Sequence, residues 1–148
     1  MLTVRAAMPS DMPQLAALEK AFFPDAWSEG MLSDCLLQSH YAVNVCADEN
    51  GKIVGYLIST HVSGEAELLR IGVEAARRRQ GIGRILMETF VRLCAERGTP
   101  DAFLEVRESN QSALSLYEHF CFEHVGKRKK YYHHPDEDAV LMAGTMFN

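Results

Sequence analysis

The chain has 148 residues, with 15 Lys plus Arg against 20 Asp plus Glu, a formal net charge of −5. Hydrophobic residues make up 47% and charged residues 24%, the composition of one globular domain able to bury a core without staples. The acid excess excludes a general nucleic-acid binder, which needs a basic footprint, and fits a partner that is itself basic.

Residues 2–7 read as a short strand. Pro9-Ser10-Asp11 opens a helix, with Ser10 or Asp11 as cap. Met12, Leu15, Leu18 and Phe22 follow on one apolar face, and the helix ends before Pro24. Ser28 can cap a second helix, with Met31, Leu32, Cys35 and Leu36 on its buried side. The texture then turns to strands over 41–47, 53–62 and 65–73, with breaks at Asp48–Gly51 and Ser63-Gly64, an antiparallel meander. A basic, glycine-containing loop joins the third of these strands to a helix carrying Ile82, Ile85, Leu86, Phe90 and Leu93. Arg97-Gly98 stops that helix, a cation in the last turn and a glycine after it. A strand over 102–106, a helix over 110–120 and a strand pair over 125–132 and 139–147 complete the chain. The expectation is a single α/β domain over 1–148: one mixed, mostly antiparallel sheet of about six to seven strands with about four helices.

No stretch approaches the roughly 20 apolar residues of a membrane helix, and the N-terminus has no secretory signal, so a cytoplasmic protein without membrane contact is expected. Cysteines 35, 46, 94 and 121 form no CxxC pair and the histidines no HExxH, so free thiols and no metal are expected.

The segment Val73–Leu86, VEAARRRQGIGRIL, contains Arg78-x-x-Gly81-x-Gly83 directly before a helix. Glycines let backbone N–H groups approach a phosphate, and a helix N-terminus adds unpaired donors and partial positive charge. Arg77, Arg78, Arg79 and Arg84 add full charges, so a pyrophosphate is the natural guest. A solvated turn with surface arginines is the plain alternative. No GxxxxGK[ST] is present, and Leu86 stands where GxGxxG needs its third glycine, which disfavours nucleotide folds of those types.

The pattern V-x-x-x-x-R-x-x-G-x-G, from Val73 through Arg78 to Gly83, resembles the acetyl-CoA loop of the GCN5-related N-acetyltransferases (GNAT). Residues 103–122, FLEVRESNQSALSLYEHFCF, resemble that family's fifth strand and fourth helix, in particular those of its ribosomal-protein-alanine N-acetyltransferase branch. Phe23-Pro24-x-x-Trp27-Ser28, Lys130-Tyr131-Tyr132 and Glu137-Asp138-Ala139 resemble further segments of that branch, so the likeness runs along nearly the whole chain. Two places depart from the pattern. Cys121 stands where the family usually has glycine, and His133-His134-Pro135 replaces a more open loop. If the chain leaves its fourth helix left-handed, Cys121 carries roughly 1 kcal/mol of strain.

The resemblance implies a GNAT fold, acetyl-CoA as cosubstrate, and transfer of acetyl to a protein N-terminus, the alanine of a small-subunit ribosomal protein, without direct nucleic-acid contact. It places Ile71, Gly72 and Val73 along the pantetheine arm and Arg78, Arg79, Gln80, Gly81, Ile82, Gly83 and Arg84 at the pyrophosphate. It puts Asn110 on the CoA arm as well, where its ordinary role would be a helix N-cap; both can hold. It implies that Glu105 is the general base and Tyr117 the general acid. Read from the residues alone, Glu105 is as well a solvated glutamate beside Arg107, and Tyr117 a core tyrosine. Trp27 and Tyr131 are placed near the acceptor, with packing as the alternative. Glu65 and Glu67 are reserve bases, read first as ordinary surface charge. Lys127–Lys130 can touch RNA, and more simply reads as a solvated edge strand. A GNAT enzyme acting on a small amine or a lysine side chain, and a non-catalytic acyl-CoA-binding module, are the competing functions.

Overall fold

The computed structural model describes residues 1–148. Seven strands form one sheet: β1 (Thr3–Ala6), β2 (Tyr41–Ala47), β3 (Ile53–Val62), β4 (Glu65–Val73), β5 (Asp101–Arg107), β6 (Glu123–Tyr132) and β7 (Glu137–Thr145), in the spatial order β1-β2-β3-β4-β5-β7-β6. All neighbours are antiparallel except β4 and β5. The helices are α1 (Met12–Phe22), α2 (Glu29–Leu36), α3 (Ile82–Arg97) and α4 (Gln111–His119). The expected fold class is therefore the one observed, and β2, β3 and β4 span the expected residues.

Two cores lie on opposite faces of the sheet. On one face, α3 and α4 bury Leu86, Phe90, Leu114 and Tyr117 against Leu68, Leu104 and Val140. On the other, α1 and α2 bury Met12, Leu15 and Leu32 against Val45, Tyr56 and Ile58. A polar chain links β3 to the end of α3: His61 lies 2.9 Å from both Ser59 Oγ and Thr99 Oγ1. Burial, and then Arg97, lowers the imidazole to about 4, so it stays neutral in the core at pH 7.

Local expectations meet mixed outcomes. Ser28 Oγ caps α2 by accepting from Met31 N, and Gly98 ends α3 in the left-handed region. Neither Ser10 nor Asp11 caps α1. Residues Pro9–Asp11 form a separate 3₁₀ turn, and the Asp11 carboxylate instead takes two bonds from Arg5 and one from Met8 N. Met31, expected inside, is 51% exposed, because the short α2 turns only Leu32 and Cys35 inward. Cys121 sits at φ +71°, so the left-handed exit from α4 is kept without a glycine. Its turn is pressed on β7: a Cβ at Gly144 would lie 2.6 Å from the Cys121 carbonyl oxygen.

Candidate active site

The parallel pair β4–β5 is the origin of the site. Pairing runs from Glu65–Asp101 to Leu68–Leu104 and then stops. Beyond it β4 continues to Val73 alongside β3, while β5 continues to Arg107 alongside β7. A twisted sheet thus opens at its centre, leaving Ile71–Val73 of β4 and Glu105–Arg107 of β5 with no ladder between them. Gly72 is fixed by packing as well: a Cβ there would meet the Tyr56 ring at 2.6 Å. No larger residue fits without moving that buried ring.

The glycine loop stands at the end of β4. Gly81 precedes α3 at φ +81°, with nothing within 4 Å of a Cβ placed there, and no side chain caps the helix. The first N–H groups of α3 are therefore left for an anion. Gly83 lies close under α4, where a Cβ would be 3.3 Å from Leu116. Arg79 is itself left-handed, at φ +65°. The arginines are less uniform than the sequence implies. Arg77 turns away to Asp48 at 3.5 Å and donates to Gln80 Oε1 at 3.0 Å. Arg78 stacks over Phe22 at 5.0 Å, and Arg84 lies 2.7 Å from His119 Nε2. Arg79 makes no such contact and is exposed.

On the α1–α2 side, the split opens into a cleft of about 580 Å³ lined by Trp27, Glu67, Arg70, Glu105, Tyr131 and His134, among others. The structure thus brings Trp27, Glu105 and Tyr131 together from three distant segments. Glu105 is partly buried, with Arg128 Nε at 3.3 Å. Hydrogen bonding to Glu105, then burial, raises the Tyr131 phenol. Burial against the cleft wall, then the Glu105 charge, raises the Glu67 carboxyl above its ordinary value. Glu67 is an exposed charge, as read from the sequence, but one that lines the cleft beside Glu105. Glu65 is exposed too and lies outside the cleft.

One element of the cleft was not read from the sequence. Glu19, fully buried on α1, accepts from Trp27 N at 3.0 Å, receives the Tyr56 hydroxyl, and pairs with Arg70 Nε at 3.3 Å. The Arg70 guanidinium lies over Phe23 at 4.1 Å and Trp27 at 5.1 Å, and donates to the Asp25 carbonyl oxygen at 3.0 Å. This buried network clamps the α1–α2 connection onto β4 and so sets one wall of the cleft. The signals were present: a glutamate on the apolar face four residues after Leu15, and an arginine inside a strand between Leu69 and Ile71.

Tyr117 and Asn110 lie on the other side of the split. Asn110 Oδ1 caps α4, accepting from Ala113 N at 3.2 Å. Tyr117 is buried, its ring edge against Phe122 at 6.0 Å between centroids. Burial, and then Tyr132, raises its phenol well above the ordinary value, so it holds its proton throughout the neutral range. Its hydroxyl makes no hydrogen bond within the chain. It is not sealed, since Arg70 Nε is the one enclosed side-chain polar atom without a hydrogen-bond partner.

Residues 12–122 match the acetyltransferase (GNAT) family. The chain is 34% identical over 145 residues to the [ribosomal protein bS18]-alanine N-acetyltransferase of Escherichia coli (strain K12), covering 97% of each. It superimposes on the crystal structure of the ribosomal-protein-S18-alanine N-acetyltransferase from Escherichia coli with a TM-score of 0.90 and 32% identity, covering 100% of this chain and 96% of that one. A phosphinothricin acetyltransferase from Sinorhizobium meliloti, solved in complex with AcCoA, shares the fold at a TM-score of 0.82 and 20% identity, over 97% of this chain and 88% of its own.

Proposed function

The chain belongs to the GNAT acetyltransferase family and is an acetyl-CoA-dependent N-acetyltransferase, and on that premise we propose that it acetylates the α-amino group of a protein N-terminus in the cytoplasm, the alanine of a small-subunit ribosomal protein. The observation that carries this reading is the convergence of Trp27, Glu105 and Tyr131 on one cleft that opens onto the β4–β5 split. The first-named relative, similar over nearly its whole length, bears that activity in its name.

The residues fit acetyl-CoA. The uncapped N-terminus of α3 and the open Gly81 suit its pyrophosphate, with Arg78, Arg79, Gln80, Ile82, Gly83 and Arg84 around them. The unpaired stretch Ile71–Val73 suits its pantetheine arm. Acetyl-CoA supplies a thioester whose acetyl group is the one transferred. Glu105 takes a proton from the acceptor ammonium, directly or through water, which frees the lone pair that forms the new N–C bond. Tyr117, on the opposite side of the split, gives its proton to the sulfur as the C–S bond breaks, and the second proton that the new amide nitrogen sheds returns to the Tyr117 phenolate through water.

Turnover with acetyl-CoA against a peptide panel tests the reading. Peptides with free N-terminal Ala, Ser or Met should be acetylated, Ala fastest, and N-blocked peptides carrying lysine should not. Acetylation of the blocked peptides alone would replace the reading with lysine acetylation.

A further inference from the structure

The face of the sheet that holds Glu105 does not end at the cleft. On β5, Asp101, Phe103 and Glu105 point to one side and Ala102, Leu104 and Val106 to the core. That outer side is covered by α1 and α2 over β2–β4 and left bare over β5, β7 and β6. Phe103 is 40% exposed and Val125 62% exposed, unusual for large apolar side chains on a sheet. Together with Ala143 they floor a second cavity, of about 430 Å³. It begins one alternation along β5 from Glu105, about 7 Å away. The two cavities are therefore successive stretches of one strip.

Apart from Arg128, which is paired with Glu105 at its head, the strip is acidic at its margins. Glu67, Phe103, Ala143 and Glu123 stand side by side across four strands, and Glu65 lies beside Asp101 in the next exposed row. No lysine or arginine lines the second cavity. Four carboxylates around a narrow apolar floor select a partner with positive charges and some apolar contact. A second copy of this chain is a poor match, because a two-fold interface there would oppose like charges.

We infer that the outer face of β5–β7–β6 is a docking strip for the acceptor polypeptide itself, holding a basic, extended stretch that follows the acetylated end. The inference rests on the N-terminal reading above, since an acceptor entering by its first residue must lay the next residues somewhere. From Glu105 to Asp101 the strip spans about 13 Å, the length of about four extended residues. Acceptor residues from about the third onward then meet Phe103, Val125 and the carboxylates.

The test uses three amidated peptides sharing two N-terminal residues that begin with Ala: a two-residue peptide, a fourteen-residue peptide with four Lys or Arg after position two, and its counterpart with Glu at those positions. The wild-type chain should show a KM at least tenfold lower for the long basic peptide than for the other two. In Glu123→Lys and Phe103→Ser that advantage should fall about tenfold, while kcat and the two-residue KM stay within twofold. Fluorescence anisotropy of the labelled, N-acetylated basic peptide should show the same loss without any chemistry. Glu123 is on an exposed edge strand, so its variant carries the test if Phe103→Ser does not fold. Equal KM shifts for short and long peptides, or equal binding of basic and acidic peptides, overturns the strip. So does a change of sedimentation mass in Phe103→Ser, which would assign the face to a second copy. If no peptide is acetylated yet the labelled basic peptide still binds in a Glu123-dependent way, the N-terminal reading fails and the strip stands.

Discussion

The two sides of the β4–β5 split are built by different means. The glycine loop is local: Arg78 to Gly83 is one short run, and its chemistry comes from backbone N–H groups and a left-handed Gly81. The cleft proposed for the acceptor is assembled: Trp27, Glu67, Arg70, Glu105 and Tyr131 come from four separate stretches of sequence, and it is built from their side chains. A site made of backbone tolerates varied side chains but not a changed φ. A site made of side chains tolerates backbone variation and is sensitive to single truncations. Each half should therefore fail in its own way.

The largest effect expected is that of Glu105→Gln. Loss of the base should lower kcat about 10²–10⁴-fold, while calorimetric titration gives an unchanged affinity for acetyl-CoA. A weakened acetyl-CoA affinity would break the division between the halves. Arg70→Met should come next. It leaves Glu19 buried without its cation, which costs about 3 kcal/mol of stability in a denaturant titration, and it raises the KM for peptide with that for acetyl-CoA unchanged. Tyr117→Phe should lower kcat about 100-fold with a melting temperature at or near wild type, since the ring packing against Phe122 is kept. A wild-type rate would return Tyr117 to the core. Gly81→Val should raise the KM for acetyl-CoA about tenfold, a loss matching the roughly 1–2 kcal/mol of left-handed strain for a residue with a Cβ, and leave the peptide KM alone. The smallest effect is a gain: Cys121→Gly should stabilise the fold by about 1 kcal/mol, read from the denaturation midpoint, with both KM values unchanged.

Legibility in the sequence follows the same division. The strands β2, β3 and β4, the glycine stop of α3 and the caps Ser28 and Asn110 were readable because each depends on a few neighbouring residues. So was the left-handed glycine turn ahead of α3, the geometry that the proposed anion loop needs. The cap of α1 was not, because Asp11 was claimed by Arg5 across the turn from β1, a partner that local pattern cannot weigh. The clamp of Glu19, Arg70 and Tyr56 was missed for a related reason. Each is odd in its own element, but only the fold of α1 over β3 and β4 makes the three partners. Trp27 and Tyr131 were placed by resemblance, since neither spacing nor polarity ties residue 27 to residue 131. Arg77 shows the converse error: counted with the loop by its position, it is held away by Asp48.

The strand order has a consequence for the birth of the enzyme. The last strand in the chain, Glu137–Thr145, is not at the edge of the sheet but between β5 and β6. Until it is synthesised, β5 has no neighbour on one side, and Leu141 is not yet beside Glu105. The sheet cannot close from N-terminus to C-terminus in step with translation, and its last-made segment supplies contacts of long sequence separation. Activity should therefore switch on only after β7 has left the ribosome. A chain stopped a dozen residues early would expose an unpaired strand edge at the centre of what should be its active site.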